Sequence, residues 1–271
     1  MFELNYKPFS IGNGMEAWKI ALIPWDTETF GFRISDLQTA APENPTVTAT
    51  LLRAALDKYC QENQVQLVTT TVSPEEKIIS RLLQEAGFYF IDLAMTVKYE
   101  HLEFISAAGP DGFSVAPATS EEFEILLKLS GTVFKHGRYH QDPSFSRPLA
   151  DKRYQDWLRR TQCPDSEQLL LTARINRDIC GFSIVGYKGS EGYLHLNAID
   201  PRWQGKHAGL RLISQSLAFL REKGATTVFS KISASNLAAV NLHSFLKARF
   251  VNPQLLFHRH SANKFDKEHC E

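Results

Sequence analysis

Apolar positions alternate or recur at helical spacing along most of the chain, and the period changes often enough to predict many short strands and helices. Apolar runs at 18–23 (WKIALI) and 31–37 predict two strands flanking a loop, Pro24-Trp25-Asp26. Leu51, Leu52, Ala55, Leu56 and Tyr59 recur on one helical face and predict a helix over about 47–62. Val65, Leu67 and Thr69 alternate with Gln66, Val68 and Thr70, as in a strand. Ser73-Pro-Glu-Glu76 carries a helix-start signal: Ser73 to cap, Pro74 at the first helical position, Glu76 to complete a capping box. Ile78, Ile79, Leu82, Leu83 and Ala86 form its buried stripe, Gly87 ends it, and a strand follows from Phe88 to about Tyr99. This half reads as βαβαβ.

Residues 101–111 read as a connection, with a Gly-Pro-Asp-Gly turn at 109–112. Phe113–Ala116 is a strand, and Thr119-x-x-Glu122 is a capping box opening a helix to about Ser130. Residues 131–150, rich in aromatic, His and Pro residues, read as an irregular surface segment before a helix carrying Tyr154, Trp157 and Leu158. Strands are predicted at 168–175, 179–187 and 191–199, the last two joined by Lys188-Gly189-Ser190. Leu210, Ile213, Leu217 and Leu220 mark the next helix, Thr226–Ser233 a strand, 236–247 a helix, and Phe250 to about Arg259 a final strand. Residues 261–271 are polar and are expected to be disordered. The first half resembles a shortened copy of the second, which suggests an old duplication.

Composition narrows the class. Lys plus Arg equals Asp plus Glu at 30 each, so no basic excess points to nucleic acid. No apolar run approaches the ~20 residues of a membrane span, and MFELNYKPFS lacks the apolar core of a secretory leader. Cys60, Cys163, Cys180 and Cys270 lie far apart with neither metal-ligand nor redox spacing. The expectation is a cytoplasmic protein with no metal, membrane or nucleic-acid partner.

The most informative stretch is Leu196–Leu212, LNAIDPRWQGKHAGLRL. An apolar run breaks at Asp200-Pro201, glycines follow at Gly205 and Gly209, and an amphipathic helix begins. That order leaves backbone N–H groups at a helix N-terminus, where they carry partial positive charge and suit a phosphate. A Rossmann site needs its glycines between parallel strands with an acidic residue ~20 positions on, and a triphosphate loop needs GxxxxGK[ST]. Neither is present.

The order instead resembles the GNAT superfamily of acyl-CoA-dependent N-acyltransferases, whose strand–loop–helix motif is Gln/Arg-x-x-Gly-x-Gly/Ala. Here it reads Gln204-Gly-Lys-His-Ala-Gly209, with His207 at the middle glycine. The resemblance implies an α/β (α+β) GNAT fold with a mixed, mostly antiparallel sheet flanked by helices. It also implies that acetyl-CoA is held by Gln204, Gly205, Lys206, His207, Ala208, Gly209 and Leu210. The preceding strand would splay from its neighbour, so that Asn197, Ala198 and Ile199 meet the pantetheine.

A second stretch, Asn236-Leu-Ala-Ala-Val-Asn-Leu-His243, resembles the superfamily's Asn-x-x-Ala-x-x-x-Tyr. Seven residues return to nearly the same helix face, which puts Asn236 and His243 together. The superfamily's Tyr often protonates the departing thiolate; with an ordinary pKa near ~6.5, His243 could do so at neutral pH. Lys247-Ala248 replaces the usual Gly-Phe.

Trp25-Asp26, Phe30-Gly-Phe32, His136-Gly-Arg-Tyr-His-Gln-Asp-Pro143 and Tyr154-x-x-Trp157 resemble the bacterial dTDP-fucosamine N-acetyltransferases, which pair a truncated N-terminal GNAT-like half with a complete C-terminal one. That resemblance implies domains at 1–108 and 109–260 with a tail at 261–271, and an acceptor pocket shaped by Trp25, Arg138, Tyr139, His140 and Asp142. For the base, His195, Glu191, Tyr139, His140 and Asp142 all remain open, as does water alone. The implied activity is acetyl transfer to a small-molecule amine, a nucleotide-linked amino sugar, by a chain that could also form a homodimer. Two rivals stay open: an N-acyltransferase for a natural-product intermediate, amino acid or protein terminus, and a GNAT-fold protein that binds acyl-CoA without turnover.

Overall fold

Alternating segments become strands and striped segments become helices throughout the computed structural model, which describes residues 4–12, 18–40, 47–105, 112–163 and 166–261. In chain order the elements are β1 (Lys7–Pro8), β2 (Lys19–Leu22), α1 (Pro24–Phe30), β3 (Arg33–Gln38), α2 (Ala49–Asn63), β4 (Val65–Val72), α3 (Lys77–Glu85) and β5 (Tyr89–Tyr99). There follow β6 (Phe113–Pro117), α4 (Ser120–Ser130), α5 (Arg138–Gln141), α6 (Arg147–Arg160), β7 (Gln168–Ile175), β8 (Asp178–Lys188), β9 (Glu191–Ile199), α7 (Ala208–Glu222), β10 (Thr227–Ser233), α8 (Leu237–Phe245) and β11 (Arg249–His260). Most of the predicted 109–112 turn, the 108/109 domain boundary, Cys270 and residues 262–271 lie outside the described residues. Among the described residues no helix is long and apolar enough to cross a membrane.

The chain divides into two units. One takes the described parts of Met1–Ala94, Gln141–Leu149 and Pro253–Glu271; the other takes those of Met95–His140 and Ala150–Asn252. In the first, strands run in the order β1-β2-β3-β4-β11, with β3 and β4 parallel and the rest antiparallel. Leu52 and Leu56 of α2 and Ile79 and Leu83 of α3 pack with Trp18, Leu37 and Val68 in its core. In the second, the order is β10-β9-β8-β7-β6, antiparallel except for β9 and β10. The stripe of α7, Ile213, Leu217 and Leu220, packs on Leu171, Val185 and Leu194, while Leu126, Tyr154 and Leu158 of α4 and α6 pack with Phe182, Ile184 and Leu196.

Three expectations are corrected. The Pro24-Trp25-Asp26 loop is the start of α1: Pro24 presets its first turn, and Gly31 at φ +77° closes it. Ser73 and Glu76 do bond reciprocally, but they close a turn ahead of α3, which begins at Lys77. The segment 131–150 holds α5 and the start of α6 and is not superficial; Tyr139, Asp142, Phe145 and Ala150 are buried. By contrast, the Thr119/Glu122 capping box forms as expected.

One irregularity positions the site. On β9, Leu194 pairs with Val185 and Leu196 with Ile184, so His195 is an extra residue in a β-bulge. The bulge changes which face each side chain meets. Leu194 packs toward α7, yet Leu196 packs toward α4 and α6, although two residues apart on a regular strand would share a face.

Candidate active site

The parallel pairing of β9 with β10 runs from Glu191↔Thr227 to Leu194↔Ser230 and goes no further, although β9 continues to Ile199 and β10 to Ser233. The two strands therefore part at the bulge. A cavity of about 960 Å³ occupies this fork, lined by residues 195–199 of β9, 230–233 of β10, the start of α7 and one face of α8. Its size suits a cofactor or substrate site.

Beyond the fork, the Asp200 side chain accepts from the Arg202 N–H at 2.9 Å, and Gln204 Nε2 donates back to the Ile199 carbonyl at 3.1 Å. These bonds fold the loop against the end of β9. Gly205 takes φ +74° with open space beside it, and His207 takes φ +60° as the N-cap of α7 without any side-chain cap. Among the described residues, the N–H groups from Gly205 to Leu210 have no protein hydrogen-bond partner. They are the orphan donors of a helix start, left open. Gly209 eases a close approach: a Cβ there would lie 3.1 Å from Leu242 Cδ1 of α8, a tight contact. Of the predicted cofactor residues, Asn197, Ala198, Ile199, Gln204, Gly205, His207, Ala208, Gly209, Leu210 and Asn236 all line the cavity. Lys206 does not; its ammonium sits 5.1 Å from the centre of the Trp203 ring.

Asn236 caps α8, its Oδ1 accepting from the Ala239 N–H at 3.2 Å. His243, two turns on, also lines the cavity, and the Tyr99 hydroxyl lies 2.5 Å from its Nδ1. Burial pushes the His243 imidazole down to about 4. The expectation that His243 carries a proton at neutral pH is therefore corrected: the ring is neutral there, because removing an imidazolium from water disfavours the charged form. Lys247, where a glycine is usual, adopts φ +57° just after α8, so the backbone turn is retained.

His195 lines the same cavity from the bulge, stacked on Tyr193 with centroids 5.7 Å apart. Burial pushes its imidazole down to about 4 as well, so it is a free base over the neutral range. Among the described residues no Asp or Glu lines the cavity; its titratable side chains are Lys135, Lys231, Tyr154, His136, His195, His207 and His243. Glu191 lies at the outer end of β9, hydrogen-bonded by the Tyr193 hydroxyl. No group of side chains suited to a metal ion occurs among the described residues.

The expected acceptor residues are not among those that line the cavity. Tyr139 is buried, with the guanidinium groups of Arg138 and Arg153 at 5.2 and 5.4 Å from its ring centre. His140 is held by Asp151 at 2.8 Å. Neither Arg138, Tyr139 nor His140 lines the cavity; Phe134, Lys135, His136, Gly137 and Tyr154 do. Trp25 and Asp142 belong to the other unit. Asp142 is fully committed there, accepting from the Tyr89 hydroxyl at 2.9 Å, from the Ser144 N–H, and lying 2.7 Å from His258 Nδ1 and 3.2 Å from His260 Nε2. Burial pushes its carboxyl up, but the bonds from His258, His260 and Ser144 outweigh it and hold the group well below the usual carboxylate range. Sequence missed Lys231 and Tyr99: Lys231 lies in an ordinary strand pattern, and Tyr99 is 144 positions from His243.

The fold is the GNAT fold, and residues 136–246 match the model of the acetyltransferase (GNAT) family. Across 134 residues (49% of this chain and 46% of the relative) the chain is 25% identical to the spore coat polysaccharide biosynthesis protein SpsD of Bacillus subtilis. It is 27% identical over 161 residues to the mycothiol acetyltransferase of Stackebrandtia nassauensis, covering 55% of this chain and 50% of that one. The chain thus spans about half the length of these curated relatives. A GCN5-related N-acetyltransferase from Sphaerobacter thermophilus superimposes with a TM-score of 0.67 over 90% of this chain and 76% of its own, at 14% identity. Together these matches show the fold.

Proposed function

We propose that this chain transfers an acetyl group from acetyl-CoA to the primary amine of an anionic small molecule, a nucleotide-linked amino sugar. The observation that carries the reading is the set of unpartnered N–H groups from Gly205 to Leu210 beside a fork whose strand edges are also open. Such donors fit a diphosphate, and the fork fits the extended arm attached to it. His207 and Lys247 depart from the family motif in side chain but keep its left-handed backbone, which favours an intact cradle over an inactive one.

The lining favours the acceptor's charge. A cationic acceptor such as a polyamine would meet Lys135 and, among the described residues, no carboxylate in the lining, an arrangement that disfavours it. A phosphorylated acceptor meets complementary charge. The relation to a protein named for spore coat polysaccharide biosynthesis adds weight to a sugar.

Bound acetyl-CoA would supply the activated carbonyl and a thiolate leaving group. Main-chain N–H groups on the open edge of β9 would polarise the carbonyl oxygen. His195, already a free base, would accept the proton released as the amine nitrogen bonds to the acyl carbon. His243, on the α8 wall, offers an N–H as the carbon–sulfur bond breaks. The chain's main task is to hold the reactants together.

Thiol release from acetyl-CoA tests the reading, with dTDP-4-amino-4,6-dideoxygalactose, a polyamine, an amino acid and a peptide amine as acceptors. Turnover with the sugar nucleotide is expected. Turnover only with another amine would overturn the acceptor, and tight acetyl-CoA binding without turnover of any acceptor would favour a non-enzymatic binder. In the active system, His195→Gln should lower kcat by ~100-fold.

A further inference from the structure

We propose that Tyr99 is a positioning residue: its hydroxyl donates to Nδ1 of His243 and so fixes the imidazole as the Nε2–H tautomer, which presents that N–H to the fork. The proposal rests on the acetyl-transfer reading only for what the N–H then does.

The Tyr99 oxygen is 2.5 Å from His243 Nδ1, and both residues are nearly inaccessible, at 2% and 3% exposure. A phenol and one ring nitrogen at that distance share one proton, so one of them donates. Had Nδ1 carried the hydrogen, the phenolic O–H would need a second acceptor. None occurs among the described residues, and a buried donor left without a partner is destabilising. With the phenol donating, Nδ1 accepts, the hydroxyl is satisfied, and the hydrogen of the neutral ring must sit on Nε2. Nδ1 is occupied, so Nε2 is the nitrogen left for the cavity that His243 lines.

Ionisation points the same way. Burial pushes the Tyr99 phenol far above its ordinary value, so it keeps its proton and remains a donor. Burial also keeps His243 neutral at pH 7. The ring therefore does not act as an imidazolium acid. It holds a developing thiolate by a hydrogen bond, in the way that preorganised donors stabilise charge at little reorganisation cost. No proton needs to leave Tyr99 or His243 in this account, because the proton of the amine goes to His195. The sequence motif offers Tyr at this helix position; a His in its place has two nitrogens and needs a partner to choose between them. Tyr99, reaching from β5, makes that choice.

Nitrogen-15 NMR of the histidine-labelled protein, without any substrate, reads the tautomer directly. Wild type should show His243 as the Nε2–H form, and Tyr99→Phe should show a mixture with Nδ1–H. In the turnover assay Tyr99→Phe should lower kcat by about 10- to 100-fold while the KM for acetyl-CoA moves by no more than about twofold. An Nδ1–H ring in wild type overturns the proposal, even if Tyr99→Phe does not fold. So does a folded Tyr99→Phe that keeps the wild-type tautomer and kcat, since loss of melting temperature alone would mark Tyr99 as a packing residue. An Nε2–H ring in a protein that acetylates nothing would sustain the proposal and sink the proposed activity.

Discussion

Each unit carries one strand–helix–strand crossover between parallel neighbours, β3–α2–β4 in one and β9–α7–β10 in the other. Their helix starts are finished differently. At α2 the Thr48 hydroxyl accepts from the Leu51 N–H, so a side chain of the protein occupies the place where an anion would bind. At α7 the N-cap is His207 in a left-handed conformation with no side-chain cap, and the donors from Gly205 to Leu210 stay open. The strands differ too: β3 stays paired with β4 as far as Leu37, whereas β9 leaves β10 after Leu194. The same supersecondary unit can thus be closed for stability or left open for a ligand, and the choice rests on a few residues at the loop.

The sharpest way to break this contrast is to close the open loop. Gly209→Asp would set a carboxylate among the donors and press its Cβ toward Leu242, so acetyl-CoA Kd by calorimetry should rise by at least ~100-fold. An unchanged Kd would detach the loop from the cofactor.

Acid stability gives the next largest effect. His195 and His243 fold with imidazoles depressed to about 4 from 6.5. Between those values the unfolded chain binds more protons, so stability is complete above pH 6.5 and falls as pH drops toward 4. The loss approaches ~3 kcal/mol per histidine at the acid end. Urea unfolding from pH 7 to 4.5 should show this slope, and His243→Gln should remove about half of the part due to the pair. A slope unaltered by that substitution would place the effect elsewhere.

How far the sequence revealed this contrast depends on the range of the interactions involved. Strands at 168–175 and 191–199 were readable to the residue because alternation is local, and so was the Thr119/Glu122 box. The loop donors followed from the order of Pro, Gly and an apolar stripe. The bulge at His195 was hidden, since Leu194-His-Leu196 looks like regular alternation until Leu196 is seen to face α4 and α6. The burial of the 131–150 segment was hidden for the same reason. Nothing local shows that Asp142 meets Tyr89, His258 and His260, which come from distant parts of the chain. The helix α1 was the avoidable miss, because Pro24 and Gly31 are its start and stop signals.

Two smaller effects sharpen the comparison. Thr48→Ala should cost about 1 kcal/mol in denaturant unfolding and leave acetyl-CoA affinity alone, since that helix start serves only the fold. His207→Gly should stabilise by up to about 1 kcal/mol by releasing a side chain from φ +60°, with acetyl-CoA affinity retained. A weaker affinity for the glycine variant would show that the imidazole itself grips the ligand.

Backbone amide NMR during an acetyl-CoA titration tests the central claim most directly. The account predicts the largest shifts at Gly205–Leu210 and along the open edges at 195–199 and 231–233, with the Thr48–Leu51 amides of α2 unmoved. Saturating acetyl-CoA that leaves the Gly205–Leu210 amides in place would contradict it.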